Sequence, residues 1–297
     1  MVTIRKRTIG KQTYYYLEHT IRKREKIEKR QHYLGKRIPK NIELLKKEFL
    51  SQLYQERWYF TLNKIKQGFT KEVKQTPLSA REEEIKKFAI HFTYDTQRIE
   101  GSTLSLRETA DLLERGITPK AKPIRDVKEP EAHNALFDEM RTTKNDLSYS
   151  RVLYWHKKLF QKTRPDIAGK IREHRVAISG SNFLPPFPAE VYLLLQQFFK
   201  WYAQSKATLN PVVLSALVHL KFVTIYPFSD GNGRISRLLM NFVLHRTNYP
   251  LFNIPYKGRA GYYTALERAQ LKQMEFIFVQ WFIKKYIKEQ KRFLKIE

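Results

Sequence analysis

The first forty residues alternate between apolar and polar positions in short runs. The segments VTIRKR, TYYYLEHTIR and KIEKRQHYLG are separated by polar turns at Ile9–Lys11 and near Lys23–Lys26. Runs of this length, rich in β-branched and aromatic residues and bounded by polar turns, are typical of strands. The pattern therefore predicts three short β-strands in residues 1–40.

Beyond residue 40 the apolar spacing becomes helical. Residues 41–78 read as a strongly charged helical linker that Pro77 terminates. A long helix is predicted over 79–101, with a capping box of Ser79 and Glu82 at its start. A second capping box, Ser105 with Glu108, predicts a short helix that ends near Gly116. Further helices are predicted at 130–141, 149–162, 188–204, 211–224, 233–246, 259–268 and 272–292.

These patterns predict a mainly α protein with a small, basic, β-like N-terminal segment. The predicted divisions are 1–40, 41–78 and 79–297, with the core of the last at about 149–292. The segment VAISGSNFLPPFP, 176–188, interrupts the helices and reads as extended, because its two adjacent prolines stop regular structure.

Composition narrows the classes of function. The formal net charge is +27, and residues 1–40 alone carry thirteen Lys or Arg against three Glu. Such a charge favours anionic partners such as nucleic acid or nucleotides, although charge networks of a heat-adapted protein would look similar. A small basic and aromatic sheet in 1–40 can stack bases and hold phosphates; alternatively its tyrosines pack on the next domain.

The sequence contains no cysteine, which excludes a disulfide framework and a thiol nucleophile. The first ten residues lack the apolar core of a signal peptide, and the longest apolar segment, 211–228, is interrupted by His219 and Lys221. We therefore expect a soluble, cytoplasmic protein that does not span a membrane.

The candidate chemistry lies in the stretch YPFSDGNGRISR, 226–237. Gly231 and Gly233 allow a tight turn, and the helix predicted after them offers N–H groups and the positive end of its dipole to a phosphate. Arg234 and Arg237 follow at helical spacing and can bind further phosphate oxygens. Asp230 is a candidate Mg²⁺ ligand, since that ion prefers a few carboxylate and phosphate oxygens.

This stretch resembles the signature of the Fic/Doc (Fido) family, HxFx[DE]GNGRxxR. The chain matches at Phe228, Asp230, Gly231, Asn232, Gly233, Arg234 and Arg237, and departs from it at the first position, which is Tyr226. Flanking segments, LVHLKFVTI, LLMNFVLHRTNYP and GYYTALERA, extend the resemblance over about 79–290. The resemblance implies a helical fold with a small β-hairpin flap at 176–186, which would line up a target protein, and it favours a homodimer.

The implied activity is transfer of AMP from ATP to a protein hydroxyl. By resemblance, Asn232 with the amides of Gly231 and Gly233 holds the α-phosphate, and Asp230 carries Mg²⁺. Arg234 and Arg237 would hold the outer phosphates, and Tyr262 or Tyr263 would lie near the base.

A second resemblance concerns regulation. The residues Thr96, Glu100 and Gly101 match the family's inhibitory motif, [ST]xxxE[GN], at the predicted end of helix 79–101. The match implies that Glu100 pairs with Arg237 and occupies the space of the γ-phosphate. An arginine bound to a carboxylate is not available to a phosphate, so this pairing would hold ATP unproductively.

Tyr226 stands where the family has a histidine that accepts a proton from the attacking hydroxyl. A phenol with a pKa near 10 is a poor base at neutral pH. Three interpretations follow: a tyrosine base with a depressed pKa, a bystander in a protein that only binds nucleotide, or a different reaction such as hydrolysis of an AMP–protein bond. His219, two helical turns earlier, is interpreted as a core histidine.

Overall fold

The computed structural model describes residues 2–23 and 26–294. Its backbone divides into two compact units, residues 1–63 and 64–297. The division falls inside the predicted linker 41–78, whose helical residues are shared between the two units.

The first unit contains the predicted three-stranded sheet. The strands β1 (Thr3–Ile9), β2 (Gln12–Lys23) and β3 (Lys26–Gly35) pair antiparallel in the order β1-β2-β3. The first turn contains Gly10 at φ +61°, in the left-handed region that glycine tolerates. The second predicted turn includes residues 24 and 25, which lie outside the described residues.

Helix α1 (Ile42–Tyr54) follows the sheet and closes a small core made of Val2, Leu17, Phe49 and Leu53. A π-helical turn, Gln55–Tyr59, connects α1 to α2 (Phe60–Gln75). The predicted helical character of this region is confirmed.

The second unit continues with nine helices among the residues that the structure describes. They are α3 (Leu78–Ile99), α4 (Leu106–Arg115), α5 (Ile124–Thr142), α6 (Tyr149–Phe160), α7 (Pro188–Ser205), α8 (Pro211–Ile225), α9 (Asn232–Arg246), α10 (Arg259–Leu271) and α11 (Glu275–Glu289). Aromatic and branched side chains from α3, α5, α6, α7, α8 and α9 form one core. None of the described helices is both long enough and apolar enough to cross a bilayer.

Helices α8 and α9 form the centre of this unit. The Ser215 hydroxyl donates to the Met240 carbonyl over 2.9 Å, and one turn later His219 approaches Ser236 at 3.3 Å, so the two helices run antiparallel. Both helices are buried along most of their length, which fixes the loop between them, residues 226–231, as a rigid connection.

Two of the predicted helix starts need correction. The Ser105–Glu108 capping box is present, and Gly116 at φ +68° ends α4 as predicted. The predicted Ser79–Glu82 box does not form, because α3 begins at Leu78 directly after Pro77 and Ser79 already lies in the first turn. Helix α5 begins at Ile124 rather than at residue 130, and it contains Pro130.

The segment 176–186 differs from the expectation of a β-hairpin flap. No strand is assigned in this described segment; only a turn at Ser179–Gly180 interrupts its irregular backbone. Pro185 and Pro186 have no N–H to donate to a strand ladder, which explains why a paired hairpin does not form.

Candidate functional site

The loop between α8 and α9 turns sharply at both ends. Tyr226 ends α8 in the left-handed region, at φ +52° and ψ +58°, which is uncommon for a residue with a Cβ. Gly231, at φ +80°, precedes the first residue of α9. A Cβ at Gly231 would lie 2.4 Å from Cε2 of Phe160, so the conformation and the close packing both require glycine there.

The loop is braced from inside by Asn232. Its side-chain oxygen accepts from the Phe228 N–H at 2.9 Å, and its amide nitrogen donates to the Phe228 carbonyl at 2.8 Å. Asn232 is buried, so in this structure its amide closes the loop rather than facing the outside. Its predicted contact with an α-phosphate stays a prediction.

His156, on α6, braces the same loop. Its ring stacks on Phe228 with the centroids 3.7 Å apart, and Nε2 lies 3.0 Å from the Asp230 carbonyl. The Gly169 N–H donates to Nδ1 over 3.0 Å, which leaves the ring proton on Nε2 to donate to that carbonyl. Burial lowers the pKa of His156 to about 4, against the opposing effect of the Asp230 carbonyl, so the neutral imidazole acts as a positioning group.

Arg234 lies beneath the loop and is buried. Its guanidinium forms ion pairs with Glu129 of α5 and with Asp230, whose Oδ1 is 3.0 Å away, and it lies over the Phe160 ring. It also donates to the side chain of Gln97 at 3.3 Å. In this structure the Arg234 side chain connects α3, α5 and the loop through these contacts. Its predicted role on the outer phosphates stays a prediction.

Asp230 presents the single carboxylate of the loop. Its Oδ2 accepts from Arg164 at 3.0 Å, and its Oδ1 accepts from Arg234 and from the Gly231 N–H at 2.5 Å. Burial disfavours the charged form, but the two arginines and the N–H outweigh it and hold the pKa of Asp230 below its ordinary value. Asp230 is thus an ionised carboxylate that remains 30% exposed.

The donor set around Asp230 bears on the predicted Mg²⁺. The described residues contain no group of three or more His, Cys, Asp or Glu side chains that could hold a metal ion. A single ionised carboxylate does fit an ion that arrives with a nucleotide, because Mg²⁺ takes its remaining ligands from phosphates and water. The residues therefore fit a nucleotide-borne ion and do not form a site of the protein alone.

Arg237 lies one turn further along α9, and its partners come from the C-terminal end of α3 and from α10. Its Nη2 donates to Oε1 of Glu100 at 2.6 Å and to the Thr96 carbonyl at 3.2 Å, while Nε bonds the Thr96 hydroxyl. Its Nη1 lies 3.4 Å from the Tyr262 hydroxyl. The side chain of Arg237 is 1% exposed and that of Glu100 is 27% exposed, so Glu100 is the accessible half of the pair.

The carboxylate of Glu100 lies over the start of α9. A Cβ placed on Gly233 would be 2.3 Å from Oε1 of Glu100 and 3.1 Å from Nη1 of Arg237. The N-terminus of a helix and an arginine are the elements of an anion site. Here the anion in that position is a carboxylate of the same chain. Gly101, at φ +93°, makes the turn directly after Glu100.

Tyr226 occupies the other end of the loop. Burial, and then the charges of Glu100 and Asp230, raise the pKa of Tyr226 to about 12. This direction is opposite to the depressed pKa that a tyrosine base would need. Arg172, which is buried, donates from Nε to the Tyr226 carbonyl at 2.7 Å and from Nη2 to the Pro186 carbonyl at 2.6 Å, so it fixes the loop to the segment 176–186.

The two tyrosines predicted near the base have different environments. Tyr262 is 1% exposed, and its hydroxyl lies between Arg237 and Nε2 of His219, which is 3.0 Å away. Tyr263 is 45% exposed and donates to the Ile99 carbonyl over 3.1 Å. His219 is fully buried, as expected of a core histidine, and burial lowers its pKa well below the ordinary value.

The segment 176–186 is attached at a second point. Glu267 of α10 accepts from the Ser181 hydroxyl at 3.0 Å and from the Asn182 N–H at 2.6 Å. Leu184 stays 77% exposed between this attachment and Arg172. The segment is therefore held at its turn and at its end, and presents an apolar side chain between them.

Sequence reasoning missed four residues that shape the site: Glu129, Arg164, Arg172 and Glu267. Glu129, Arg164 and Arg172 contact the stretch 226–237, and Glu267 contacts the segment 176–186, each from a position far away in sequence. No local motif marks them in the sequence. For Glu129, the unusual signal was an acidic residue directly before the helical Pro130.

Comparison with known proteins identifies a family over the part of the chain that contains this loop. The model of the Fic/DOC family matches residues 146–244. A protein adenylyltransferase Fic of Drosophila melanogaster is 35% identical over 186 residues, which cover 59% of this chain and 36% of the relative. Protein adenylyltransferase fic-1 of Caenorhabditis elegans is 33% identical over 186 residues, covering 61% of this chain and 36% of the relative. The match thus spans about a third of the length of these curated relatives.

Solved structures show the same fold. The Fic-1 structure of C. elegans superposes with a TM-score of 0.73 at 26% identity, covering 86% of this chain and 78% of that chain. A Fic-domain-containing signalling protein of Bacteroides thetaiotaomicron superposes with a TM-score of 0.70 at 26% identity, covering 78% of this chain and 97% of that one.

Proposed function

Because this chain carries a Fic/DOC family domain, we propose that it binds ATP and transfers AMP to a hydroxyl group of a target protein, and that Glu100 restrains this activity. The observation that carries the proposal is the anion site at the start of α9. Gly233 and Arg237 border a position that a carboxylate of the chain itself fills.

The proposed reaction needs little covalent chemistry from the protein. The target's hydroxyl oxygen attacks the α-phosphorus of ATP and gives up its proton to a base or to solvent, while the bond from that phosphorus to the oxygen bridging to the β-phosphorus breaks and pyrophosphate leaves. Such a transfer is accelerated by positioning and by neutralising charge. The N–H groups of the first turn of α9 and the Arg237 guanidinium supply the positive charge.

Asp230 would hold a nucleotide-borne Mg²⁺, which supplies charge neutralisation on the phosphates when it is bound. Arg164 now pairs with the same carboxylate oxygen, and its side chain is 41% exposed. An exposed arginine can leave that oxygen at little cost, since surface ion pairs contribute about 1 kcal/mol or less. Arg234, which is buried, would keep the carboxylate in place.

Restraint by Glu100 follows from exclusion. A phosphate that uses Arg237 and the start of α9 needs the position where Oε1 of Glu100 lies, 2.6 Å from Arg237. Two anions do not share that position. Asp95 holds the same end of α3 by accepting from the Tyr256 N–H at 2.8 Å and from the Asn253 amide. The Glu100 carboxylate is the exposed, movable part of an otherwise anchored helix end.

Tyr226 supports a second candidate, a nucleotide-binding regulator with impaired transfer. With its pKa raised to about 12, the phenol accepts a proton from an attacking hydroxyl poorly at neutral pH. Loss of a general base costs about 10²- to 10⁴-fold in rate and leaves phosphate binding intact. Both candidates share the anion site and the restraint by Glu100.

The test compares wild-type protein, Glu100→Gly, and Glu100→Gly combined with Tyr226→His. Each is incubated with Mg²⁺, α-labelled ATP and a lysate as target source, and ATP binding is measured separately by calorimetry. Glu83→Gln is the matched control, since Glu83 lies on the exposed side of α3 and pairs only with Lys87 at 3.6 Å.

Label on proteins with Glu100→Gly alone supports an autoinhibited transferase. Label only after Tyr226→His supports the impaired regulator. Failure of Glu100→Gly to bind ATP, with the fold intact, would refute both candidates.

The target protein and its binding position are part of the same proposal. We place the target protein at the segment 176–186, where Leu184 is exposed beside the loop. The homodimer and the cytoplasmic location expected from the sequence remain predictions.

A further inference from the structure

The sheet of the first unit has one covered face and one open face. Leu17 of β2 points into the small core with Val2 and with Phe49 of α1. Neighbouring residues of a strand point to opposite faces. Tyr16 therefore lies on the face opposite α1, which we call the open face. The pairing register of the strands shows which other residues lie on this face.

The register places tyrosines and cations together on the open face. Tyr16 pairs with Arg5 of β1 and with Tyr33 of β3. Tyr14 pairs with Arg7 on the same face. Lys29 belongs to it as well, through its pairing with Thr20 four residues after Tyr16.

The three tyrosines form one contiguous cluster. The ring of Tyr33 lies 5.2 Å from that of Tyr16 and 6.3 Å from that of Tyr14, and the guanidinium of Arg7 lies 5.1 Å from the centre of the Tyr16 ring. Tyr33 is 51% exposed. A fold that needed these rings only for packing would place them on the α1 side, where the apolar residues of this unit lie.

The charge of the open face is positive. Among the described positions of β1, β2 and β3, Glu18 is the one acidic residue that the pairing places on this face. Gln31 at 2.7 Å and Arg5 at 3.2 Å donate hydrogen bonds to its carboxylate. The bond from Gln31 has the largest effect, and together the two bonds lower the pKa of Glu18 against the opposing effect of burial. The charge of Lys29 contributes to the same lowering, and the side chains of Arg7 and Lys29 are exposed on this face.

We propose that this face, formed by Arg7, Tyr14, Tyr16, Lys29 and Tyr33, binds single-stranded nucleic acid. Cations hold phosphates, and exposed aromatic rings stack on bases. Bases offer their faces to such rings only when they are not stacked in a duplex, which favours a single strand over a double helix. This inference is independent of the proposed AMP transfer, because it rests on the first unit alone.

The test is fluorescence anisotropy of the full chain. Labelled strands of roughly 15 nucleotides, a length within the range of single-strand sites, are offered as RNA, as DNA of the same sequence and as the DNA duplex. Titrations run from about 50 to 200 mM salt. We expect both single strands to bind more tightly than the duplex. The comparison of RNA with DNA shows which of the two nucleic acids this face prefers.

Two variants separate stacking from charge. Tyr33→Leu should weaken single-strand binding about five- to hundred-fold with the salt slope unchanged, and Tyr33→Phe should bind as the wild type does. Arg7→Gln with Lys29→Gln should reduce the salt slope by about 1.4, since each phosphate contact on a single strand contributes about 0.7. Arg107→Gln, an exposed arginine on α4, is the control and should change neither quantity.

Three results would overturn the proposal: duplex bound as tightly as single strands, Tyr33→Leu bound as tightly as wild type, or an unchanged salt slope in the Arg7 and Lys29 variant. Thermal unfolding by circular dichroism accompanies each titration, and Tyr33→Phe supplies the folded comparison should Tyr33→Leu unfold.

Discussion

The two ends of the stretch 226–237, which comprises the loop and the start of α9, differ in how well they suit the proposed reaction. At the α9 end, Gly233, Arg237 and the first N–H groups of the helix form an anion site, and the Glu100 carboxylate already lies in it. At the α8 end, Tyr226 stands at the position of the proposed proton acceptor, in surroundings that raise its pKa to about 12. One end is ready for a phosphate, and the other is poorly suited to a proton.

The difference shows that binding and proton transfer depend on separate residues of one loop. The anion site needs a backbone geometry and an arginine, and neither involves the side chain of Tyr226. The proton acceptor depends on the acidity of one side chain, and burial beside Glu100 and Asp230 shifts that acidity in the unfavourable direction. The loop can therefore keep its first property while losing the second.

The pH dependence of transfer gives the largest expected effect. In the Glu100→Gly background one cause of the raised pKa is removed, but burial and Asp230 still raise the pKa of Tyr226. A tyrosine base is active only as the tyrosinate, so the transfer rate should rise about tenfold per pH unit, or about 10³-fold from pH 6 to 9. With Tyr226→His the rate should level off above a pH of about 7, since histidine ionises near 6.5. Single-turnover transfer of labelled AMP measures both profiles.

Tyr226→Phe is the control for this profile. It should abolish transfer if the tyrosine accepts the proton, and it should leave the rate unchanged if the tyrosine is a bystander. A pH-independent rate above pH 7 with Tyr226 in place, combined with loss of transfer in Tyr226→Phe, would show that bound nucleotide lowers the pKa of Tyr226 to near neutrality. The contrast between the two ends of the loop would then disappear.

Glu129→Ala should give the next largest effect, on stability. It removes a buried carboxylate from Arg234 and from the Thr163 hydroxyl at 3.1 Å, and it leaves a buried guanidinium with Asp230 as its remaining ion pair. We expect a loss of about 3 kcal/mol in the free energy of unfolding, measured by urea denaturation. Glu131→Ala, which breaks only a partly exposed pair with Lys128 at 2.9 Å, should cost about 0.5 kcal/mol or less.

Equal losses for Glu129→Ala and Glu131→Ala would mean that Arg234 does not depend on α5. Arg234 would then be available to phosphates, as the sequence resemblance implies. The α9 end would contain two arginines that can leave their carboxylate partners to bind a phosphate, instead of one.

Glu100→Gln should change nucleotide affinity with little change in stability. The variant keeps the shape of the side chain and removes the charge that binds Arg237, so ATP no longer displaces a charge-assisted hydrogen bond. Such a bond contributes about 1.5–3 kcal/mol, and we therefore expect ATP to bind at least about tenfold more tightly by calorimetry. Glu83→Gln on the same helix should leave the affinity unchanged.

The sequence predicted the order of helices and the loop because both depend on local signals. Apolar periodicity placed α6 to α11 close to their observed bounds, and the capping box at Ser105 placed the start of α4. The start of α3 was missed because Pro77 at φ −55° leads directly into the helix, and no side chain caps it. Pro185 and Pro186 account locally for the absence of strands at 176–186, whereas the attachment of this segment to Glu267 has no local signal.

The roles of the two motif arginines could not be read from their spacing. Arg234 and Arg237 both belong to the signature, yet one is bound to Glu129 and the other to Glu100. Which carboxylate is buried and which is exposed depends on where α5 and α3 pack against α9. That arrangement is a tertiary property, and the spacing of two arginines three residues apart does not encode it.

Gly233→Ala is the smallest and most specific test of the α9 end. The added Cβ would meet Oε1 of Glu100 at 2.3 Å, and a flexible carboxylate can move away, so folding should lose only about 1 kcal/mol. The same Cβ would also crowd a phosphate. In the Glu100→Gly background we therefore expect Gly233→Ala to weaken ATP binding about fivefold by calorimetry. An unchanged affinity there would mean that the phosphate and Glu100 occupy different positions, and restraint by exclusion would fail even if Glu100→Gln raised the affinity.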